Sequence, residues 1–423
     1  MGVNLSFTTP TNARSLYEAL DTCNSAGETV ASQVYYIVCS TSHQSITYLF
    51  RFILHFTDPS PLLSIKYYYL NNHDHLRISS GLMNSPRPAL KRTDYTVGWL
   101  TALPIELAAA EALLDVPHLP LDRLPHDSNS YILGSIGKYN VVLTSLPSGS
   151  TGSSAAAFAA AQMMFSFPAT EIRFMTGIGG GIPTSKDVRL GDVVVSVPGK
   201  RNRGILPHDF GQIDADGKLQ HTQILDGPPP LLLNAVTSFR ASSSSRSQFL
   251  ETLSKLIAAD RQFAHPGVEN DRLYNSSYRH PYRKEPCDKC DPAELVQSRP
   301  AKRENADPLI HYGGIASGNQ VIKHASTRDR LGLECEVLCF EMEAAGLMNY
   351  FSCLVIRGIS DYADSHKNND WKPYAAATAA AYTKTLLVNI PPLERASATA
   401  ESPTRTEQLY VMVVLSVANF AAE

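Results

Sequence analysis

The sequence predicts an α/β fold, a single domain with a central mixed β-sheet flanked by helices. Three observations carry this expectation. Short β-branched runs such as VVVS at 193–196 and LVI at 354–356 have the length and composition of buried strands. Alanine- and leucine-rich stretches such as ELAAAEALL and YAAATAAAYTKTLL read as helices. The two kinds alternate from Asp94 to Leu387, the pattern of strands joined through helices in one sheet.

Composition narrows the class. A chain of 423 residues that is 43% hydrophobic and 18% charged has ample material for a core. Its formal net charge of -3 gives no basic field, so neither nucleic acid nor an anionic membrane is an expected partner. Seven scattered cysteines do not form a disulfide framework, and a reducing, cytoplasmic setting is expected. The start lacks a basic stretch followed by a long apolar core, so no secretory signal is expected. Met1-Gly2 with Ser6 matches part of a myristoylation pattern, a motif short enough to arise often by chance. No apolar run reaches the roughly 18 residues of a spanning helix.

Residues 1–93 alternate aromatic clumps with polar stretches without a period, and read as a poorly organised extension of no assigned function. From Asp94 the pattern sharpens. Tyr95–Leu103 predicts a strand, and Glu106 opens a helix after Pro104. Tyr131–Ile136 and Tyr139–Leu146 predict a hairpin turned at Gly137-Lys138. Ser153–Phe165 predicts a helix, and Ile172–Met175 a strand that ends in the glycine loop 177–181. Val193–Val197 is a strand. Residues 240–307 begin with a serine run and continue charged and proline-rich, a low-order insertion holding one helix at Phe249–Ala259. Ile310–Ile322 returns to strand and loop, Thr327–Leu333 is a short helix, and Val337–Phe340 is a strand followed by a helix over Glu341–Tyr350. Cys353–Ile356 is the last strand and Tyr374–Leu387 the last helix, so the domain spans 94–392 and 393–423 form a tail.

Several segments have functional and structural readings. Ser360-Asp361 stands just past a buried strand, where open α/β sheets bind ligands. Asp361 is there either a proton-handling residue or a cap for the next turn. The glycine loop lacks the third glycine of a dinucleotide fingerprint, with Ile182 in its place, and fits close backbone approach or a tight turn better. Ser148–Ser154 runs into a helix N-terminus that would suit an anion or a plain cap. Glu341 and Glu343, two apart at an expected helix start, would not share a face. One such carboxylate could hold a vicinal diol through its two oxygens, and dipole stabilisation is the simpler account. Cys287 and Cys290 form one CxxC which, even with His280, lacks a partner pair, so no metal is expected.

Together, YTVGWLTALPIELAAAEALL, FMTGIGGGIP, RLGDVVVS, HYGGIASGNQVIKHASTRDRL, CFEMEAAGLM and CLVIRGISDYADSHKNNDW resemble the purine nucleoside phosphorylase and nucleosidase superfamily. They are similar above all to the nucleoside-phosphorylase-type domains that head fungal multidomain proteins. The resemblance covers Asp94 to Leu387 in order, and it implies N-glycosidic cleavage of a purine nucleoside without a cofactor. It implies that Asp361, beside Ser360, protonates the departing base. Glu343 would hold the ribose hydroxyls, with Met342 under the sugar. Gly179 and Gly180 would lie beside ribose and base, and Ser317, Asn319, Val321 and Ile322 would line the base. Family members divide by nucleophile. Glu106, in ALPIE, falls where nucleosidases carry the residue that activates water, which favours hydrolysis. Inorganic phosphate would be a co-substrate in the phosphorolytic alternative, and a non-catalytic nucleoside sensor is the other alternative. Related domains often finish the pocket with a neighbouring subunit, so a homo-oligomer is expected. After the VVVS strand the segment KRNRGILPHDFGQ departs from the fungal pattern but keeps Asp209-Phe210-Gly211. No Walker motif or 33-residue repeat follows, consistent with a stand-alone or truncated member.

Overall fold

The computed structural model describes residues 90–215, 219–220, 224–281, 287–297 and 307–392, together with the backbone of five earlier strands. The myristoylation-like start and the tail from 393 lie outside the described residues. The chain divides into two compact units, Met1–Leu90 and Lys91–Glu423. In the first, Ala13–Cys23 (β1), Thr29–Ser40 (β2), Thr47–His55 (β3), Leu62–Leu70 (β4) and Ile78–Gly81 (β5) pair as an antiparallel meander.

The second unit carries the α/β pattern. Val97–Thr101 (β6) is buried throughout. Pro104–Glu111 (α1) follows with proline in its first turn, where the missing N–H costs nothing. Val116–Pro117 (β7), Ile132–Ile136 (β8) and Tyr139–Ser145 (β9) complete one side of the sheet, with the expected hairpin turning at Gly137-Lys138. Ser153–Ser166 (α2) precedes Ile172–Gly181 (β10), Val193–Ser196 (β11) and Ile205–Pro207 (β12). Gln212–Ile213 (β13) and Leu219–Gln220 (β14) form a small ribbon. Pro230–Ala241 (α3) and Ser243–Ala259 (α4) come next. The described residues end with Ile310–Ser317 (β15), Ala325–Cys335 (α5), Val337–Glu341 (β16), Leu354–Asp361 (β17) and Lys372–Val388 (α6).

Among the described residues, ten strands form one mixed sheet in the order β12-β15-β11-β17-β10-β6-β9-β8-β7, with β16 pairing β10 and β15. β6, β10 and β17 run parallel side by side. Their carboxyl ends therefore lie together, which brings the start of α1, the glycines of β10 and Asp361 to one edge of the sheet. Two expectations are corrected here. The glycines 177–181 are not a loop after the strand but its last residues, with a register shift between Gly179 and Gly180 against β17. Residues 341–350 are not an α-helix. Glu341 ends β16, and only a single 3-10 turn, Ala344–Gly346, follows.

The serine-rich start of the insertion is the first turn of α4, which buries Phe249, Leu253 and Leu256 at helical spacing. Beyond it, 3-10 turns at Arg261–Phe263, Val268–Asn270, Cys287–Lys289 and Pro292–Glu294 are fixed by polar contacts. Trp371 Nε1 donates to the Asn270 carbonyl at 3.2 Å, and Tyr362 donates to Asp271. Such contacts leave no hydrophobic period, so composition alone does not reveal this order.

Helix α6 is buried almost all round, which its alanine content allows. It crosses β17 so closely that a Cβ on Gly358 would stand 1.8 Å from the Ala375 carbonyl oxygen. Gly358→Ala should therefore cost roughly 3 kcal/mol or more, because backbone rather than a flexible side chain must give way. A denaturation midpoint reporting a loss under about 0.5 kcal/mol would contradict this close packing.

Candidate active site

The site starts with Glu106, which α1 carries in its first turn. Its Oε2 accepts the backbone N–H groups of Ala102 at 2.8 Å and Leu103 at 2.9 Å, closing the helix end by a local cap. Its Oε1 leaves the helix and accepts the Ile178 N–H of β10 at 2.8 Å. Burial raises the Glu106 pKa, against the pull of Arg357 and these three amides.

Arg357 stands in the middle of β17 and is 1% exposed. Its Nη2 donates to Glu341 Oε2, and Glu343 Oε2 lies 3.5 Å from the same nitrogen. Glu106 also acts on it electrostatically. A Cβ on Gly177 would lie 2.5 Å from both Arg357 Nη1 and Glu106 Oε1, so a glycine is required where β10 passes between them. Arg357 itself is held charged by its three acidic neighbours, although burial opposes this. One guanidinium cannot offset three carboxylates in a dry site. Burial first, then Glu341 and Glu106, push the Glu343 pKa up to about 7, with Arg357 and the Gly152 amide opposing.

The expectation that Glu341 and Glu343 would point apart is overturned, because it assumed helical geometry. Both carboxylates reach Arg357 from the end of a strand. They differ in what else they do. Glu341 accepts the backbone N–H groups of Glu343 and Ala344 and fixes the turn. Besides Arg357 at 3.5 Å, Glu343 accepts the Gly152 N–H and the Met342 N–H, each at 3.3 Å. It is the one with acceptor capacity left for a ligand.

Asp361 ends β17. Its Oδ2 accepts Ser360 Oγ at 2.9 Å and pairs with Lys367 Nζ at 2.7 Å, while Oδ1 accepts the Ala363 N–H at 3.0 Å. A Cβ on Gly180 would lie 3.0 Å from Oδ1, which places this glycine against the carboxylate. A cavity of about 130 Å³ opens beside Asp361, lined also by Ser360, Asp364, His366 and Trp371. Neither Glu106 nor Glu343 is among its lining residues. Asp361 is joined to them through β10, whose Ile178 amide binds Glu106 and whose Gly180 meets Asp361.

The remaining predicted residues sit around this edge. Gly179 faces the Phe340 carbonyl of β16, where a Cβ would be 2.8 Å away. Ser317 is buried, and its Oγ accepts the Ala345 N–H at 2.8 Å, bracing the turn after Glu343. Asn319 Oδ1 accepts both the backbone N–H and the hydroxyl of Ser153, at 3.0 and 3.1 Å. That contact decides the reading of 148–154: the first turn of α2 is capped from within the protein. Met342 is half-buried; Val321 is 51% exposed, and Ile322 packs beside Ile182, Phe340 and Ala363. Asp209 Oδ2 accepts the Asn319 N–H at 2.6 Å, a use for the retained Asp-Phe-Gly. Arg357 and Lys367 were not foreseen. The signal for Arg357 was an arginine inside an apolar buried strand, a position that demands a partner. Lys367 sits in a loop and carries no such signal.

No family model matches the chain. A protein of Hyaloscypha variabilis described as a nucleotide-binding leucine-rich repeat (NLR)-like protein is 44% identical over 312 residues, which cover 72% of this chain and 30% of that protein. The chain thus spans less than a third of that relative's length. The 5′-methylthioadenosine/S-adenosylhomocysteine nucleosidases of Mycobacterium bovis and Mycobacterium tuberculosis are 25% identical over 305 residues, 70% of this chain and 98% of theirs. Among solved structures, futalosine hydrolase of Helicobacter pylori covers 70% of this chain and 99% of its own, with 16% identity and a TM-score of 0.44. The α/β unit is thus similar in sequence to 5′-methylthioadenosine/S-adenosylhomocysteine nucleosidases over most of their length. No helix among the described residues is long and apolar enough to cross a membrane.

The raised pKa of Glu343 predicts a pH dependence of stability. Between its ordinary value of 4.5 and about 7, the folded state holds a proton that the unfolded chain has released. Stability is therefore full at low pH in this window and declines as pH rises through it. Unfolding free energy should fall by a few kcal/mol, on the order of the shift itself, between about pH 5 and pH 7. Glu343→Gln should flatten that slope in chemical denaturation at a series of pH values. An identical slope in the variant would contradict the assignment.

Proposed function

We propose that this chain cleaves the N-glycosidic bond of a purine nucleoside by hydrolysis. The observation that supports the reading is that Glu106 and Glu343 both act on Arg357, in the strand that ends at Asp361. Glu343 in its ionised form accepts hydrogen bonds from the 2′- and 3′-hydroxyls of the ribose. Glu106, made more basic by burial, takes a proton from water as the water oxygen bonds to C1′. The bond from C1′ to the base breaks, its electron pair leaves with the purine, and a proton reaches N7 through Asp361. Lys367 and Ser360, both on the Asp361 carboxylate, give that proton a route of supply. Free base and free ribose are the products.

Two observations favour water over phosphate. Asn319 takes the Ser153 N–H and hydroxyl, and Glu343 takes the Gly152 N–H, so donors that could cradle a phosphate at this helix end are engaged. The mycobacterial relatives are named for hydrolysis of 5′-thio-substituted adenine nucleosides, which makes such nucleosides the first substrates to try.

Base release from a panel of purine nucleosides, including 5′-methylthioadenosine and S-adenosylhomocysteine, should proceed at the same rate with and without phosphate and give the free sugar with any 5′ substituent still attached. A rate that needs phosphate, with ribose 1-phosphate as product, would establish phosphorolysis instead. Nucleoside binding with no base formed over hours would make the chain a sensor. Asp361→Asn and Glu106→Gln should each lower kcat by roughly 10²–10⁴, the usual worth of a positioned acid or base, with the fold intact by circular dichroism. Full activity in either variant would remove that residue from the mechanism. KM should rise as pH falls below about 7, where Glu343 gains its proton, and Glu343→Gln should abolish that dependence.

A further inference from the structure

The insertion between α4 and β15 carries a cluster that the hydrolytic reading does not use. His280, Cys287 and Cys290 bring a ring nitrogen and two sulfurs within 4.8 Å of one another. The Cys287–Lys289 turn makes this approach possible, as the Cys290 N–H donates back to the Cys287 carbonyl at 3.2 Å. A tetrahedral zinc ion, with bonds of about 2.0–2.3 Å, spaces its ligand atoms roughly 3.3–3.8 Å apart. The three atoms thus stand at most about 1–1.5 Å wider than a bound zinc would hold them.

A second observation comes from another element. His366, in the loop after β17, is 7% exposed, and neither of its ring nitrogens has a hydrogen-bond partner. A buried imidazole without partners is costly. Its ring centroid lies 5.2 Å from that of His280, and its backbone carbonyl accepts from Cys287 Sγ at 3.6 Å. Asp364 Oδ1 stands 3.7 Å from its Nδ1, a carboxylate behind the ring of the kind that orients metal-bound imidazoles.

We propose that His280, Cys287, Cys290 and His366 form a tetrahedral zinc site that staples the insertion to the loop following Asp361. Two thiolates and two imidazoles are a closed, structural donor set, suited to zinc rather than to a hard cation. The expectation of no metal rested on a CxxC without a partner pair; the fold supplies His366 from a distant part of the chain. The consequence reaches the candidate active site. The backbone N–H of His280 already donates to Ser365 Oγ at 2.9 Å, and two residues later Lys367 pairs with Asp361. Cys287 also lines the cavity beside Asp361. Zinc would fix the loop that carries Lys367.

The test is metal analysis of the full-length protein purified in Zn²⁺ without chelator, and it does not depend on the proposed activity. One zinc per chain is expected, lost when Cys287→Ser and Cys290→Ser are combined. Co²⁺ exchanged into the parent protein should give thiolate-to-cobalt charge-transfer bands and the intense visible bands of a tetrahedral ion. His366→Gln should weaken zinc binding at least about tenfold. Substoichiometric zinc, a cobalt spectrum without thiolate bands, or a Cys287–Cys290 disulfide found by thiol titration would overturn the site. Unchanged zinc content in the double serine variant would do the same, and unchanged affinity in His366→Gln would overturn the four-ligand set. Should the double variant fail to fold, the cobalt spectrum of the parent decides.

Discussion

A single buried guanidinium organises the edge of the sheet where the candidate site lies. Arg357 is enclosed in β17; Glu341 and Glu343 reach it from the end of β16, and Glu106 acts on it from the start of α1. Removing charges from water is expensive, and three carboxylates around one cation leave a net negative charge that the surroundings must absorb. The structure handles this unequally. Glu341 is compensated by the cation and by backbone amides and acts as a strut. Glu106 is compensated by three amides and kept basic by burial. Glu343 is the least compensated and holds its proton to about neutral pH. The group that is costly to ionise is the one left with capacity for a ligand.

The fold makes that arrangement possible through parallel strands and glycine. Parallel pairing of β6, β10 and β17 aligns their carboxyl ends, so residues far apart in sequence arrive on one edge. Glycine in β10 then lets the strand thread between side chains that any Cβ would displace, at Gly177 between Glu106 and Arg357, and at Gly180 against Asp361. The short α2 cap made by Asn319 joins the same edge and ties β15 to the Gly152 amide that Glu343 uses. Proposed substrate contacts and structural contacts are thus drawn from one network, and a change at Asn319 or Gly152 reaches Glu343.

Much of this was legible in the sequence. The α/β class followed from strand-length apolar runs between alanine-rich helices, and most core elements stand within a few residues of their expected bounds. Asp361 and Glu106 were singled out because each follows an apolar strand in a segment that resembles a known family, and the structure places both at the same edge of the sheet. What stayed hidden depended on tertiary pairing. The helix expected after Phe340 was inferred from good helix formers in EMEAAGLM. Those residues instead end a strand, because Glu341 is drawn to Arg357 and its carboxylate ties down the next amides. The glycines of β10 read as a loop because glycine is a poor strand former, yet close approach on both sides keeps them in the sheet. The order of the insertion rests on side-chain hydrogen bonds, which no periodicity records.

The claim on which the rest depends is that three carboxylates share one guanidinium and that one of them stays protonated near neutrality. Carbon-13 NMR of the protein labelled at glutamate side-chain carboxyls measures this directly, residue by residue across a pH titration. A resonance that vanishes in Glu343→Gln should titrate near pH 7, well above the ordinary 4.5. If every glutamate carboxyl titrates at its ordinary value, the shared-cation account of this site is wrong.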